Sequence, residues 1–150
     1  MSNLGVGDRD ATSCMNAVDT NILVYAICAD EPAKSAASMR LLDELTAADT
    51  VLLWQVACEL GAVLTRLRAS GRTTLDAAEA VQAYRGRFPL VLPSPTILND
   101  GLRIHLDDQV SYWDAMLLAA CADAGVKRLN SEDLPSRSII RGVEVFNPIE

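Results

Sequence analysis

The sequence predicts a single α/β domain, with a mainly parallel central sheet of about five strands flanked by helices in a three-layer arrangement. Short apolar runs alternate with segments of helical period along the whole chain, the order in which parallel strands are joined by helical crossovers. Half of the 150 residues are apolar, enough for one core that buries roughly two-thirds of the unfolded surface. No repeat or low-complexity linker marks a second domain.

The elements follow in order. Residues 1–15 are rich in Ser, Asn, Gly and Asp and hold no apolar segment, so they read as a disordered tail and not a secretory signal, leaving 16–150 as the domain. The run ending at Val18 is the first strand and delivers Asp19 to its carboxyl end. An apolar, helix-prone segment begins there with Thr20 and Asn21 as candidate caps. Glu31-Pro32 punctuates, and residues 33–48 read as a second helix. Residues 50–53 form a second strand, and 55–69 a helix with Val56, Leu60, Val63 and Leu67 in one stripe, ended by Ser70-Gly71.

Thr73 and Asp76 resemble a capping box that opens a helix over 74–86. Residues 88–92 are a third strand, placed near an edge by Pro89. Ser94-Pro95 supplies a cap and first-turn proline for a helix through Leu106. A further helix over 112–124 is stopped by Gly125, and residues 127–130 and 139–146 supply the last two strands.

Composition excludes several function classes. No apolar run approaches the roughly 18 residues of a membrane span. A net charge of −7 argues against a large basic footprint for duplex DNA, but not against nucleic acid held through a metal ion. The four cysteines lack the paired spacing of zinc or redox motifs, so Cys58 and Cys121 read as reduced core thiols of a cytoplasmic protein. The chain has one histidine, His105, and no Gly-x-Ser-x-Gly elbow, which removes a serine hydrolase triad. Phosphate-binding and dinucleotide-binding glycine motifs are also missing.

What remains is a set of acids. In open α/β folds the carboxyl edge of the sheet is where ligands bind, and Asp19 sits there. Glu59 falls about 60° from the centre of its helix stripe, half turned inward, where it also reads as an ordinary surface glutamate paired with a neighbour. Asp114 shares a face with Leu117, Leu118 and Cys121, and an inward carboxylate without a partner costs several kcal/mol. Ser111-Tyr-Trp-Asp114 equally fits a capping box. Glu132 and Asp133 follow the strand at 127–130, at the same sheet edge as Asp19 or simply in a polar turn.

Two carboxylates about 4 Å apart repel by about 4 kcal/mol at an effective dielectric near 20. A cluster of three or four would therefore need a cation, and all-oxygen ligation selects Mg²⁺ or Mn²⁺. Such an ion on a few carboxylates suits phosphodiester hydrolysis.

Four stretches in order, Val18-Asp19-Thr-Asn-Ile-Leu-Val-Tyr25, the Gln55-Val56 helix with Glu59, Ser111-Tyr-Trp-Asp114-Ala115 and Ser131-Glu-Asp133-Leu134, resemble those of PIN-domain proteins. More narrowly the chain is similar to VapC-type toxin ribonucleases of bacterial toxin–antitoxin pairs. The resemblance implies that Asp19, Glu59, Asp114 and Asp133 form a metal-binding cluster, with Glu132 as a substitute for Asp133. It further implies Mg²⁺- or Mn²⁺-dependent cleavage of RNA, a homodimer, and inhibition by a small cognate antitoxin. Arg66, Arg68, Arg72, Arg85 and Arg87 are placed either to meet RNA phosphates or to serve as a solvated helix face. Two readings compete: a haloacid-dehalogenase-like phosphatase with Asp19 as nucleophile, which wants an acid where Asn21 stands, and a dimeric binding module without catalysis.

Overall fold

A computed structural model describes residues 14–150. The tail expected over 1–15 lies outside that range except for Cys14 and Met15. The Met15 carbonyl accepts hydrogen bonds from the backbone N–H groups of Lys127 and Arg128. The elements are β1 (Asn16–Val18), α1 (Thr20–Ile27), α2 (Pro32–Glu44), β2 (Thr50–Leu53), α3 (Trp54–Ala69) and α4 (Ala77–Arg87) in the first half. They continue with β3 (Leu90–Val91), α5 (Ile97–Asp107), α6 (Tyr112–Asp123), β4 (Arg128–Asn130), β5 (Ile139–Ile140) and β6 (Val143–Phe146).

The strands form one sheet in the order β3-β2-β1-β4-β6-β5. Five run parallel, and β5 pairs antiparallel with β6 at one edge. From β1 the chain winds outward through β2 to β3, then returns to the other side of β1 as β4. The order therefore reverses between β1 and β4, and the crevice outside their carboxyl ends is the topological switch point at which such sheets bind ligands. β3 occupies the opposite edge, as Pro89 requires, and the Pro89 carbonyl accepts from the Leu52 N–H at 2.8 Å.

The core is built from Ile22, Leu23, Leu60, Leu64, Leu117, Leu118 and Leu129, all fully buried. In α6 every residue from 115 to 121 is buried, the condition of a helix that is apolar all round. It ends in a Schellman turn: Gly125, at φ 75°, donates to the Ala122 carbonyl, and Val126 donates to that of Cys121.

Local differences from the sequence reading have local causes. The segment 139–146 is two strands, giving six in all, because Arg141 (φ 51°) and Gly142 (φ 79°) make a two-residue turn and Ile140 pairs with Val143. Positive φ at both central residues is the type I′ hairpin turn, here without the usual Asn-Gly signal. α4 starts later than expected because Asp76, not Thr73, is its cap: the carboxylate accepts from the Glu79 N–H at 3.0 Å. Asp76-Ala-Ala-Glu79 thus carries the capping pattern. α2 stops at Glu44, ahead of the turn at Thr46–Asp49. In α3 the buried stripe runs through Val56, Ala57, Leu60 and Leu64, with Val63 and Leu67 at its margin. Cys121 is buried as expected, whereas Cys58 is exposed. Among the described residues no helix is long and apolar enough to cross a membrane.

Candidate active site

Asp19 is placed by pairing between β1 and β4. Its N–H donates to the Asn130 carbonyl at 2.9 Å, and the Asn130 side-chain amide donates back to the Ala17 carbonyl at 3.0 Å. Asp19 is only 6% exposed. Oδ1 accepts the Thr20 N–H at 2.7 Å, which makes Asp19 itself the cap of α1. Oδ2 accepts the Ser131 hydroxyl at 2.8 Å. Burial raises its pKa to about 6 despite those two hydrogen bonds, and the negative charges of Asp133 and Glu59 push in the same direction.

Thr20 and Asn21, expected as caps, instead hold two other acids. The Thr20 hydroxyl donates to Glu59 Oε2 at 3.0 Å, and the Asn21 amide donates to Asp133 Oδ2 at 2.8 Å. The other Glu59 oxygen accepts from Gln55 at 3.2 Å, an i, i+4 pair on α3. Gln55 also donates to the Trp113 carbonyl at 3.1 Å, tying α3 to the start of α6. Glu59 is half-buried, as its shoulder position on the helix predicts.

Asp114 is half-buried in the first turn of α6. The capping box does not form: the Ser111 side chain caps no backbone N–H, and its hydroxyl donates to Asp114 Oδ2 at 2.6 Å. Asp133 is held from a second side, since its N–H donates to Ser131 Oγ at 3.2 Å. One hydroxyl thereby links Asp19 to the loop that carries Asp133. The Asp133 pKa is raised, first by loss of solvent and then by the charges of Glu132 and Asp114, with Lys34 opposing.

Asp19, Glu59, Asp114 and Asp133 all line one cleft of about 250 Å³, together with Thr20, Asn21, Gln55, Arg66 and Trp113. Glu132 does not. It accepts the Tyr25 hydroxyl and pairs with Lys34 at 3.2 Å, on the α1–α2 side of the loop. The four cleft acids come from the end of β1, the middle of α3, the start of α6 and the loop after β4. Their oxygens are the donor type a hard divalent cation takes. Among the described residues no three of them converge tightly enough to enclose an ion. Hydrogen bonds from Ser131, Thr20, Gln55, Asn21 and Ser111 hold the oxygens that would do so.

The positioning residues Thr20, Asn21, Gln55 and Ser131 escaped the sequence reading. The available signal was two polar residues, Thr20 and Asn21, opening an otherwise apolar helix, a pattern shared with ordinary caps.

Residues 17–134 match the PIN domain family. The fold is similar to that of a toxin–antitoxin complex chain from Klebsiella pneumoniae, at 16% identity and a TM-score of 0.63, covering 89% of this chain and 97% of that one. It is also similar to VapC20 of Mycobacterium tuberculosis, described as a sarcin-ricin loop cleaving toxin, at 20% identity and a TM-score of 0.61 over 79% of this chain and 91% of that one. PAE2754 of Pyrobaculum aerophilum shares the fold at 17% identity and a TM-score of 0.58, over 97% and 92% of the two chains. No curated protein is significantly similar in sequence. The six-stranded, mostly parallel sheet and a family match that runs from β1 through the Asp133 loop agree, and the chain belongs to the PIN-domain family.

Proposed function

We propose that this PIN-domain protein is a metal-dependent endoribonuclease, the toxin of a toxin–antitoxin pair. One observation carries the reading: four carboxylates from four separate segments line a single cleft at the switch point of the sheet. The similarity in fold to a toxin–antitoxin complex and to an RNA-cleaving toxin supports it. The phosphatase alternative lacks a second acid beside Asp19, because Asn21 stands there bonded to Asp133.

Asp19 and Asp114 would hold Mg²⁺ or Mn²⁺, with Glu59 and Asp133 completing the oxygen set. A divalent ion so held supplies an activated water and neutralises charge on the phosphoryl oxygens. The chain's own residues do the rest. Ser131 and the Thr20 N–H orient the Asp19 carboxylate, and the Thr20 hydroxyl and Gln55 keep Glu59 turned toward it. The Asn21 amide and the Ser131 hydroxyl hold Asp133, which is exposed to solvent, at the mouth of the cleft.

The test is cleavage of end-labelled cellular RNA by purified protein, with Mg²⁺ or Mn²⁺ and then with excess chelator. Discrete fragments that vanish on chelation are expected. Cleavage indifferent to chelator would remove the metal, and no cleavage of any RNA would remove the nuclease. In cells, growth arrest on expression should be relieved by the antitoxin encoded beside it.

Assembly as a homodimer belongs to the same reading. Leu98, Leu102 and Leu106 recur every four residues along α5, at 63%, 44% and 70% exposure, beside an apolar hollow of about 320 Å³ that includes Trp54, Leu92 and Tyr112. A row of exposed leucines along one helix, next to an apolar hollow, is the kind of face a second copy would cover. Sedimentation at micromolar concentration should give twice the chain mass of 16.1 kDa. A single species at the monomer mass would rule the dimer out.

A further inference from the structure

The arginines between 66 and 87 are not equivalent. Arg68 pairs with Asp76 at 3.4 Å, Arg72 with Asp30 at 3.2 Å, and Arg87 with Asp43 at 4.0 Å while also donating to the Leu42 carbonyl. Arg66 makes no ion pair or hydrogen bond with any described residue, yet it is the one cation among the residues lining the acidic cleft. A guanidinium beside four carboxylates would ordinarily be drawn into a salt bridge. Two of the acids are fully engaged elsewhere: both Glu59 oxygens are taken by Thr20 and Gln55, and both Asp19 oxygens by Ser131 and the Thr20 N–H.

Arg66 lies seven positions after Glu59. That is two helical turns, so Arg66 lies on the same face of α3, about 10 Å further along its axis. The cleft thus has carboxylates at one end and an exposed, uncommitted guanidinium at the other. Two unlike ends of this kind suit a ligand with repeated anionic groups, one meeting the acids through a cation and the next meeting the arginine directly. A planar guanidinium binds a phosphate through two parallel hydrogen bonds, which a neutral side chain cannot do.

We propose that Arg66 anchors a backbone phosphate adjacent to the one cleaved, and so fixes the register of a single-stranded RNA across the cleft. The inference rests on the nuclease reading for its substrate class. Arg66 is a binding residue and takes no part in the bond-breaking step.

The test uses a 5′-fluorescein single-stranded RNA 12-mer of mixed sequence. Its binding is followed by anisotropy with Mg²⁺ in an Asp114→Asn background, and its cleavage is followed in the otherwise wild-type protein. Arg66→Gln should weaken binding and raise KM about tenfold, with kcat within about twofold. The plot of log affinity against log salt should become shallower by about 0.7, the loss of one phosphate contact to a single strand. Arg66→Lys should restore that slope and part of the affinity. Unchanged affinity and slope in Arg66→Gln, or a fall in kcat at constant KM, would overturn the anchor. So would failure of the parent protein to bind the 12-mer. If the RNA is bound with an Arg66-dependent slope but never cut, the nuclease reading falls and Arg66 stands only as a phosphate contact, not as one that sets the register of cleavage. If cutting persists with Arg66→Gln indistinguishable from the parent, the anchor falls and the nuclease stands.

Discussion

Asp114→Asn should lower RNA cleavage by at least about 100-fold, the upper end of what loss of an indirect partner of a metal site costs, while leaving the protein folded. The substitution keeps the size of the side chain and an oxygen for the Ser111 hydroxyl, which now donates at 2.6 Å. The start of α6 does not depend on the carboxylate, since neither Ser111 nor Asp114 caps a backbone N–H there. What disappears is one negative charge facing Asp133, whose pKa it helps to raise. In chelator, thermal unfolding of the variant should therefore match the wild type or occur at higher temperature, because part of the carboxylate repulsion is gone. Growth arrest should be lost in parallel with cleavage. A folded Asp114→Asn protein that cuts RNA at the wild-type rate would refute the mechanism.

The second large effect is on stability against pH. Asp19 has a pKa of about 6 in the folded chain and 3.8 as its ordinary value. The folded state therefore binds the proton more tightly, and between about pH 4 and 6 it holds more protons than the unfolded chain. The contribution is fully present below pH 4 and is lost as pH rises through 6. It amounts to about 3 kcal/mol, because a tenfold difference in proton affinity is worth about 1.4 kcal/mol and the two values lie about two decades apart. Asp133 is raised as well, so the quantity to measure is the difference between wild type and Asp19→Asn. Urea midpoints taken in chelator should show wild type losing ground to the variant by about 3 kcal/mol from pH 4 to pH 7. The amide fits the same site, because Ser131 can accept from it where it now donates to the carboxylate. Mg²⁺ should reverse the trend at neutral pH by binding the ionised form. Parallel wild-type and variant curves would show that Asp19 titrates normally and that burial does not raise its pKa.

Much of this site was readable one residue at a time. Asp19 follows a short apolar run, and Asp114 sits in the first turn of a helix that shows no polar face, so these two acids stood out against their own neighbours, whereas Asp133 lies in a polar loop beside a second acid. Their meeting was not readable. The bond from Ser131 to Asp19 spans 112 positions and exists because β4 pairs with β1, an adjacency set by the strand order of the whole sheet. The adjacent acids Glu132 and Asp133 are equivalent in the sequence. In the fold Lys34 and Tyr25 draw the first away, while Asn21 holds the second at the cleft.

The sequence by itself determined the alternation of strands and helices, the edge position of the strand after Pro89, the stop at Gly125 and the three acids at element ends. Those features depend on residues within a turn or two of one another, where period, capping and backbone restriction act. The tertiary structure alone decided the sixth strand with its Arg141-Gly142 hairpin, the work of Thr20 and Asn21 as partners of Glu59 and Asp133, and the freedom of Arg66. Each of these is a choice among several satisfactory hydrogen-bond partners. Which partner a side chain takes is fixed by what the packed sheet and helices bring within about 3 Å of it.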